Sequence, residues 1–580
     1  MSEHRYRWRN RQLREHIAVV DGKLPPTILL KNATYLNVYL KKWMSSHIWI
    51  YEDRIVYVGG KLPEKINETE IIDCSGQYLV PGYIEPHAHP FQLYNPHSLA
   101  QYASQTGTTV LVNDNLMLLY LLDKKKAFSL LDDLNDLPVS LYWWARFDSQ
   151  SSLQDDEAFI KNANVLSWLK HDAVMQGGEL TSWPDVLRDD DRVLHWMQET
   201  KRMRKPVEGH FPGASENTLT KMKLLGADGD HESITGEEVY RRLVLGYTSA
   251  LRHSSIRPDL PKLLQELKPY DIQTYDRMMF TTDGSTPSFY EDGIMNICLE
   301  IALKEGIAPE EAYSMASYNA AKYFGIEHRV GSIGPGRVAH INFLAAKDDP
   351  HPVSVLAKGK WMKRKGEVFA NNVTFDWSEH GLQPLKIDWD LTEDDLQFSL
   401  PVGLNMVNDV IMKPFTVKME LAAEEISEDK NEAFVMLMDR DGEWRIATVL
   451  KGFTKSLGGL VSSYSNTGDF ILLGRRKKDI HLAFNRMKEI GGGIVLANRG
   501  KILFELPLKL SGMMSDADME TLISQEKQLT SIIKEHGYTF GDPIYTLLFL
   551  SSVHLPYIRI TPKGILDVKK KEVLFPSIMR

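Results

Sequence analysis

Six side chains of metal-ligating type recur along the middle of the 580-residue sequence. In YLVPGYIEPHAHP an apolar run ends in His87-Ala88-His89. Strand side chains alternate faces with period two, so both imidazoles would project to one side and could grip one metal ion. Downstream stand Glu179 in MQGGEL, His210 in PVEGH, His231 in GDHES and Asp283 in FTTDGS, each closing a short apolar or glycine-bounded run. Imidazole with carboxylate suits zinc, manganese or iron. The two cysteines, Cys74 and Cys298, lie in no paired spacing, which excludes a thiolate zinc site and a disulfide framework. Any one of these residues alone reads as a solvated loop side chain. The set of six, in order at the ends of strand-like runs, reads as one site.

Such a set needs a scaffold that brings successive strand ends to one face. From about Tyr78 to Gly325 short apolar runs alternate with helical stretches, as in GTTVLVNDN followed by LMLLYLLDKKKAFSLLDDL. That rhythm over about 250 residues predicts an α/β fold, a (β/α)₈ TIM-like barrel with its chemistry at the carboxyl ends of the strands. Ile294, Ile297, Cys298 and Ile301 keep helical spacing, and a second helix is predicted from Pro309 to Gly325. The barrel, residues 81–325, is flanked by β-rich text at Ile28–Gly60 and Gly331–Glu367, the latter with a hairpin turning near Lys358 and Gly359. These flanks predict one composite β-sandwich domain, residues 1–80 plus 326–375. After a loose polar stretch near Asn371–Asp395, mixed strands and helices predict an α+β C-terminal domain over 390–580.

The net charge of −9 and pI near 6.1 argue against a nucleic-acid partner, which needs a concentrated basic surface. The arginine-rich RYRWRNRQLR, Arg5 to Arg14, is short and reads as a solvated terminal helix or tail. No run of 18 apolar residues and no secretory start occurs, so no membrane association is expected and the reading is a cytoplasmic protein. A PCxxC deaminase motif, a GxxxxGK[ST] phosphate loop and a strand-borne GxGxxG are absent. SLGGLVSS and EIGGGIV read as turns.

The opening PGYIEPHAH, the TTDG element and the closing NAAKYFGIEHRVGSIGPGRVAHI resemble the amidohydrolase superfamily. VEGHFPG, GDHES, GGGIVLANRGKILFELPLKLSGMMS and DPIYTLLFLS (Asp542–Ser551) are similar to the bacterial adenine deaminase family, so the resemblance spans nearly the whole chain. It implies two divalent ions, manganese foremost, with iron or zinc open. His87 and His89 would hold the more buried ion, His210 and His231 the more exposed one, and Glu179 would bridge them. Asp283 would bind the first ion and carry the proton while metal-activated water attacks C6 of a purine base. The implied partners are that small molecule and, in the manner of large metal-dependent barrels, further copies in a homo-oligomer. Glu208 and His253, on adjacent strand ends, are candidates to protonate the ring nitrogen and equally candidates for structural support.

Departures from the family pattern cluster around the substrate-reading loops. His89 is followed by Pro90-Phe91-Gln92-Leu93-Tyr94-Asn95 in place of Glu-Ser-Ser, and Asp283 by Gly284-Ser285-Thr286 in place of Asp-Arg. Glu85 replaces the usual Asp, and His340 and Asn342 replace acidic residues. Three readings stand: deamination of adenine to hypoxanthine, hydrolysis of a different purine or cyclic amide, and a non-catalytic ligand-binding module.

Overall fold

A computed structural model describes residues 8–153, 160–369, 375–418, 423–427 and 429–580. The first sheet begins with β1 (Ile28–Asn37), β2 (Lys42–Tyr51), β3 (Arg54–Gly59), β4 (Glu70–Asp73) and β5 (Tyr78–Pro81). Eight parallel strands follow: β6 (Tyr83–Ala88), β7 (Thr108–Asn113), β8 (Ser140–Ala145), β9 (Val174–Leu180), β10 (Val207–Gly209), β11 (Gly229–Asp230), β12 (Thr248–Arg252) and β13 (Met278–Thr281). Every residue of β6, β7 and β8 is buried, as expected of parallel strands covered on both faces.

Side chains close the seam between the last strand and the first. Thr281 Oγ1 donates to Glu85 Oε1 at 2.7 Å, and the Thr282 amide and hydroxyl donate to Glu85 Oε2 at 2.8 and 2.6 Å. Glu85, a departure from the family pattern, is therefore the clasp of an eight-stranded TIM-like barrel.

The helix predicted from Pro309 to Gly325 is two helices, Pro309–Met315 and Tyr318–Tyr323. The break has a use: the Ala316 carbonyl, freed from the helix, accepts from the Ile84 amide of β6 at 2.8 Å.

The chain returns to the first sheet through β14 (Ile341–Leu344), β15 (Ser354–Ala357), β16 (Lys360–Arg364) and β17 (Glu367–Val368), with β14 antiparallel to β5. The hairpin turns at Lys358 and Gly359, both at positive φ. His340 and Asn342 sit where this sheet meets the barrel: His340 Nε2 lies 2.9 Å from Ser140 Oγ, and Asn342 Nδ2 donates to the Gly107 carbonyl at 2.9 Å. These two replacements belong to that joint. Of the arginine-rich stretch, Arg5 and Arg7 lie outside the described residues. Arg11 and Arg14 are exposed on a helix, Asn10–Val20, that buries Gln12, His16 and Val19.

The C-terminal unit is built on a second nine-stranded sheet, whose strands include Glu432–Met438, Phe470–Gly474 and Gly493–Asn498, with the helix Lys477–Glu489 on one face. SLGGLVSS, predicted as a turn, is the strand Gly459–Ser462. Its glycines let the helix approach, since a Cβ on Gly459 would stand 2.4 Å from the Asp479 backbone. One apolar cluster runs without interruption from Phe211 and Tyr290 of the barrel to Tyr464 and Leu547 of this unit. No described helix is long and apolar enough to cross a membrane.

A candidate metal centre and its two-part cavity

The barrel brings all six candidate ligands to its carboxyl face. His87 lies in β6 and His89 just beyond it, Glu179 near the end of β9, His210 and His231 directly after β10 and β11, and Asp283 two residues past β13. Asp283 Oδ1 stands 3.5 Å from His87 Nε2 and 3.3 Å from His89 Nε2. Glu179 Oε1 stands 3.4 Å from His231 Nε2 and 2.5 Å from His210 Nδ1, while its Oε2 faces His87 Nε2 at 3.8 Å. The atoms form three overlapping sets able to hold metal: His87, His89 and Glu179; His87, His231 and Asp283; Glu179, His210 and His231. His87 Nε2, His210 Nδ1 and His231 Nε2 are buried and make no hydrogen bond, and an orphaned buried nitrogen is costly unless something ligates it.

The surroundings hold this cluster in place and set its charge. Asp114 Oδ2 lies 2.8 Å from His89 Nδ1, which turns Nε2 toward Asp283. Arg146 pairs with both Asp114 and Glu179, at 2.5 and 2.9 Å. Arg252 bridges Asp283 and Glu232 at 2.8 and 2.6 Å, and Arg257 holds the other oxygen of Glu232 at 2.5 Å.

Burial alone would raise the carboxyl groups, but Arg146 and His89 hold Asp114 down to about 2. Arg146 and His210 hold Glu179, and Arg252 and His89 hold Asp283, well below the usual carboxylate range. Burial likewise pulls the imidazoles down, yet Asp114 and Asp283 lift His89 to about 9, and flanking carboxylates lift His210 and His231. The potential at the point of convergence thus favours positive charge, and a divalent cation among neutral imidazoles meets that demand. The donor set fits such an ion.

Neither Glu208 nor His253 reaches the cavity wall. Glu208 lies beneath His231, its Oε1 3.4 Å from Nδ1, and accepts from the Tyr323 hydroxyl. The His253 ring sits 5.5 Å from the Phe289 ring. Sequence reasoning missed Asp114, Arg146, Glu232 and Arg252, although each stands at or just past the end of a barrel strand, the signal that singled out the six.

Above the cluster lies a cavity of about 570 Å³ whose far wall comes from the C-terminal unit, including Asp409, Asn466, Tyr545 and His554. The altered loops of the barrel are what this unit grips. Gln92 accepts from the Tyr464 hydroxyl, and Asn95 Nδ2 donates to the Ser515 carbonyl at 2.8 Å. The Ser515 amide donates to the Leu93 carbonyl at 2.6 Å. From the other loop, the Gly284 carbonyl accepts from the Tyr545 hydroxyl at 2.9 Å, and Thr286 Oγ1 donates to Asp542 at 3.0 Å. Gly284 itself has φ +62°, and a Cβ there would meet His89 at 2.5 Å.

Two family profiles match the chain: the amidohydrolase family over residues 78–362 and the adenine deaminase C-terminal domain over 409–572. A provisionally named adenine deaminase of Oceanobacillus iheyensis is 54% identical over 573 residues, 99% of each chain. One from Bacillus subtilis is 52% identical over 580 residues, 100% of each. An adenine deaminase of Desulfatibacillum aliphaticivorans is 27% identical, covering 95% of this chain and 97% of its own. Among solved structures, a dihydropyrimidinase from Brevibacillus agri covers 59% of this chain and 95% of its own, with a TM-score of 0.43 and 16% identity. The amidohydrolase match implies a divalent metal, in keeping with the donor set above. From its full-length identity and both profile matches, the chain belongs to the adenine deaminase family of the amidohydrolases, hydrolases of carbon–nitrogen bonds other than peptide bonds.

Proposed function

We propose that this chain deaminates adenine hydrolytically, adenine and water giving hypoxanthine and ammonia. The observation that carries the reading is the convergence of His87, His89, Glu179, His210, His231 and Asp283 beneath a closed-over cavity, in a chain about as long as its adenine deaminase relatives. In this reading two divalent ions bind, manganese first, with iron or zinc as alternatives. When bound, they bring the pKa of a coordinated water to near neutrality.

His87 and His89 would hold one ion and His210 and His231 the other, with Glu179 within reach of both groups. Arg146 fixes Glu179, and Asp114 fixes the His89 ring. Asp283 presents Oδ1 to the reacting centre because Arg252 occupies Oδ2. Oδ1 takes the proton of the attacking water and returns it to the departing ammonia, one carboxylate serving as base and then acid. Gln92, Asn466 and His554 supply cavity-wall groups able to meet ring nitrogens. The same reading divides the chain into 1–80 with 326–375, 81–325 and 390–580, supported by the pairing of β5 with β14. It makes the protein a purine-handling enzyme of the cytoplasm, able to assemble as a homo-oligomer.

A second reading, hydrolysis of a different purine or cyclic amide, draws on the altered loops after His89 and Asp283 and on a cavity larger than a bare base fills. Manganese-loaded protein incubated with adenine, with Asp283→Asn beside it, separates the two. Ammonia and hypoxanthine from the wild type alone establish adenine deamination. No ammonia from protein carrying two metals removes adenine and leaves the second reading.

A further inference from the structure

A larger cavity, about 940 Å³, opens at the other end of the barrel. Its wall includes Pro206, Asp228, Thr248 and Arg277, at or just before the amino ends of β10, β11, β12 and β13. It is therefore separated by the length of the strands from the cluster at their carboxyl ends.

Six cations line it, Lys201, Arg204, Lys205, Lys223, Arg277 and Lys322, against three carboxylates. In a chain of net charge −9 this is a local reversal of sign. The carboxylates are largely committed: Asp228 pairs with Lys201 at 2.6 Å, and Asp276 with Lys41, from outside the cavity, at 2.8 Å. Those two pairs leave five cations of the wall over, against Asp271.

Three of those five meet carbonyls or a ring. Arg277 donates to the Gly246 carbonyl at 3.1 Å, Lys205 to that of Leu169, and the Lys223 ammonium lies 4.8 Å over the Tyr247 ring. Among the described residues none of the five lies within ion-pairing distance of a carboxylate. Burial pushes the Lys205 ammonium down to about 8 and lowers Lys223, a cost that a bound anion would offset. On the same wall Tyr240 and Tyr270 stack at 4.4 Å with 39% and 36% of their surface exposed, which leaves ring faces open for a base.

We propose that this cavity binds a nucleoside polyphosphate, its phosphates among Arg204, Lys223, Arg277 and Lys322 and its base on the tyrosine pair. The volume falls within the range of small-molecule sites, and oxyanions are the ligands that unpaired lysine and arginine select.

The test is calorimetric titration of the metal-loaded full chain with ATP, tripolyphosphate and adenosine. ATP and tripolyphosphate should bind with an affinity that falls as salt rises, ATP about tenfold tighter because its base stacks, while adenosine should not bind measurably. The double variant Arg204→Glu, Lys322→Glu should weaken ATP at least about tenfold at an unchanged melting temperature. Should it melt early, Tyr270→Ala is read instead, and should weaken ATP while sparing tripolyphosphate. Absence of ATP binding, ATP no tighter than tripolyphosphate, or equal ATP binding by wild type and a folded double variant, which would place the phosphates at the metal centre, overturns the proposal.

Discussion

Arg252 and Asp283 meet at Oδ2, with Nη2 2.8 Å away, while Oδ1 turns to His87 and His89 at 3.5 and 3.3 Å. The carboxylate is thereby divided, one oxygen anchored and the other directed at the centre. Because Arg252 also holds Glu232 at 2.6 Å, it is the common counter-ion of two buried acids.

Replacing it should be costly. Arg252→Met takes the arginine from Asp283 and leaves Glu232 with Arg257 alone, and loss of one partner of a buried pair costs about 3–5 kcal/mol. Urea denaturation of the metal-free proteins reads this directly. A midpoint equal to the wild type's would mean that water or rearrangement solvates the two acids.

Removal of metal should abolish ammonia release and lower the melting temperature. Ions held at about a thousand times their dissociation constant stabilise the fold by about 4 kcal/mol. Two equivalents of manganese should restore both properties. His210→Ala, which takes a donor from one side of Glu179, should retain about one equivalent by metal analysis and show no turnover.

Tyr545→Phe tests the roof. It deletes the hydroxyl that holds the Gly284 carbonyl one residue after Asp283. A hydrogen bond of this kind contributes about 0.5–1.5 kcal/mol, so kcat/KM should fall roughly two- to tenfold with metal content unchanged. Unaltered kinetics would show that the loop keeps its shape without the tether.

Stability should fall in mild acid through His340. Burial, with Lys358 and Arg329 nearby, holds its imidazole well below the usual value of 6.5. Above that pH it is neutral folded or unfolded, and its contribution is intact. As pH drops below 6.5 only the unfolded chain takes the proton, so stability is lost at about 1.4 kcal/mol per pH unit until the folded value is reached. His340→Asn should flatten that slope, as read from urea midpoints at pH 7 and pH 5.

The sequence made the barrel and its six candidate ligands legible because both are local signals: alternating strand and helix text, and polar residues where apolar runs stop. It did not disclose Arg146 or Arg252, since an arginine after an apolar strand looks the same whether it is buried against carboxylates or solvated. At Glu208, read as either a ring-nitrogen donor or a structural support, the structure shows supporting contacts. Two residues before His210, it shares that residue's face of the strand but sits one pleat lower, beneath His231 and against Tyr323, and depth within the barrel is not written in period-two alternation. The role of residues 396–580 was hidden because contacts such as Tyr464 with Gln92 join positions 372 apart, for which no spacing rule exists.

The shared cavity also imposes a timetable on synthesis. A ribosome has delivered every candidate metal ligand once Asp283 emerges, yet the wall that turns an open bowl into a reaction chamber runs on to Pro556. Translation proceeds from the amino end, so between Asp283 and Pro556 the nascent chain carries the candidate ligands without a finished lid over them. A polypeptide cut short after the barrel would carry the candidate ligands under no roof and would lay bare the apolar surface that the C-terminal unit covers.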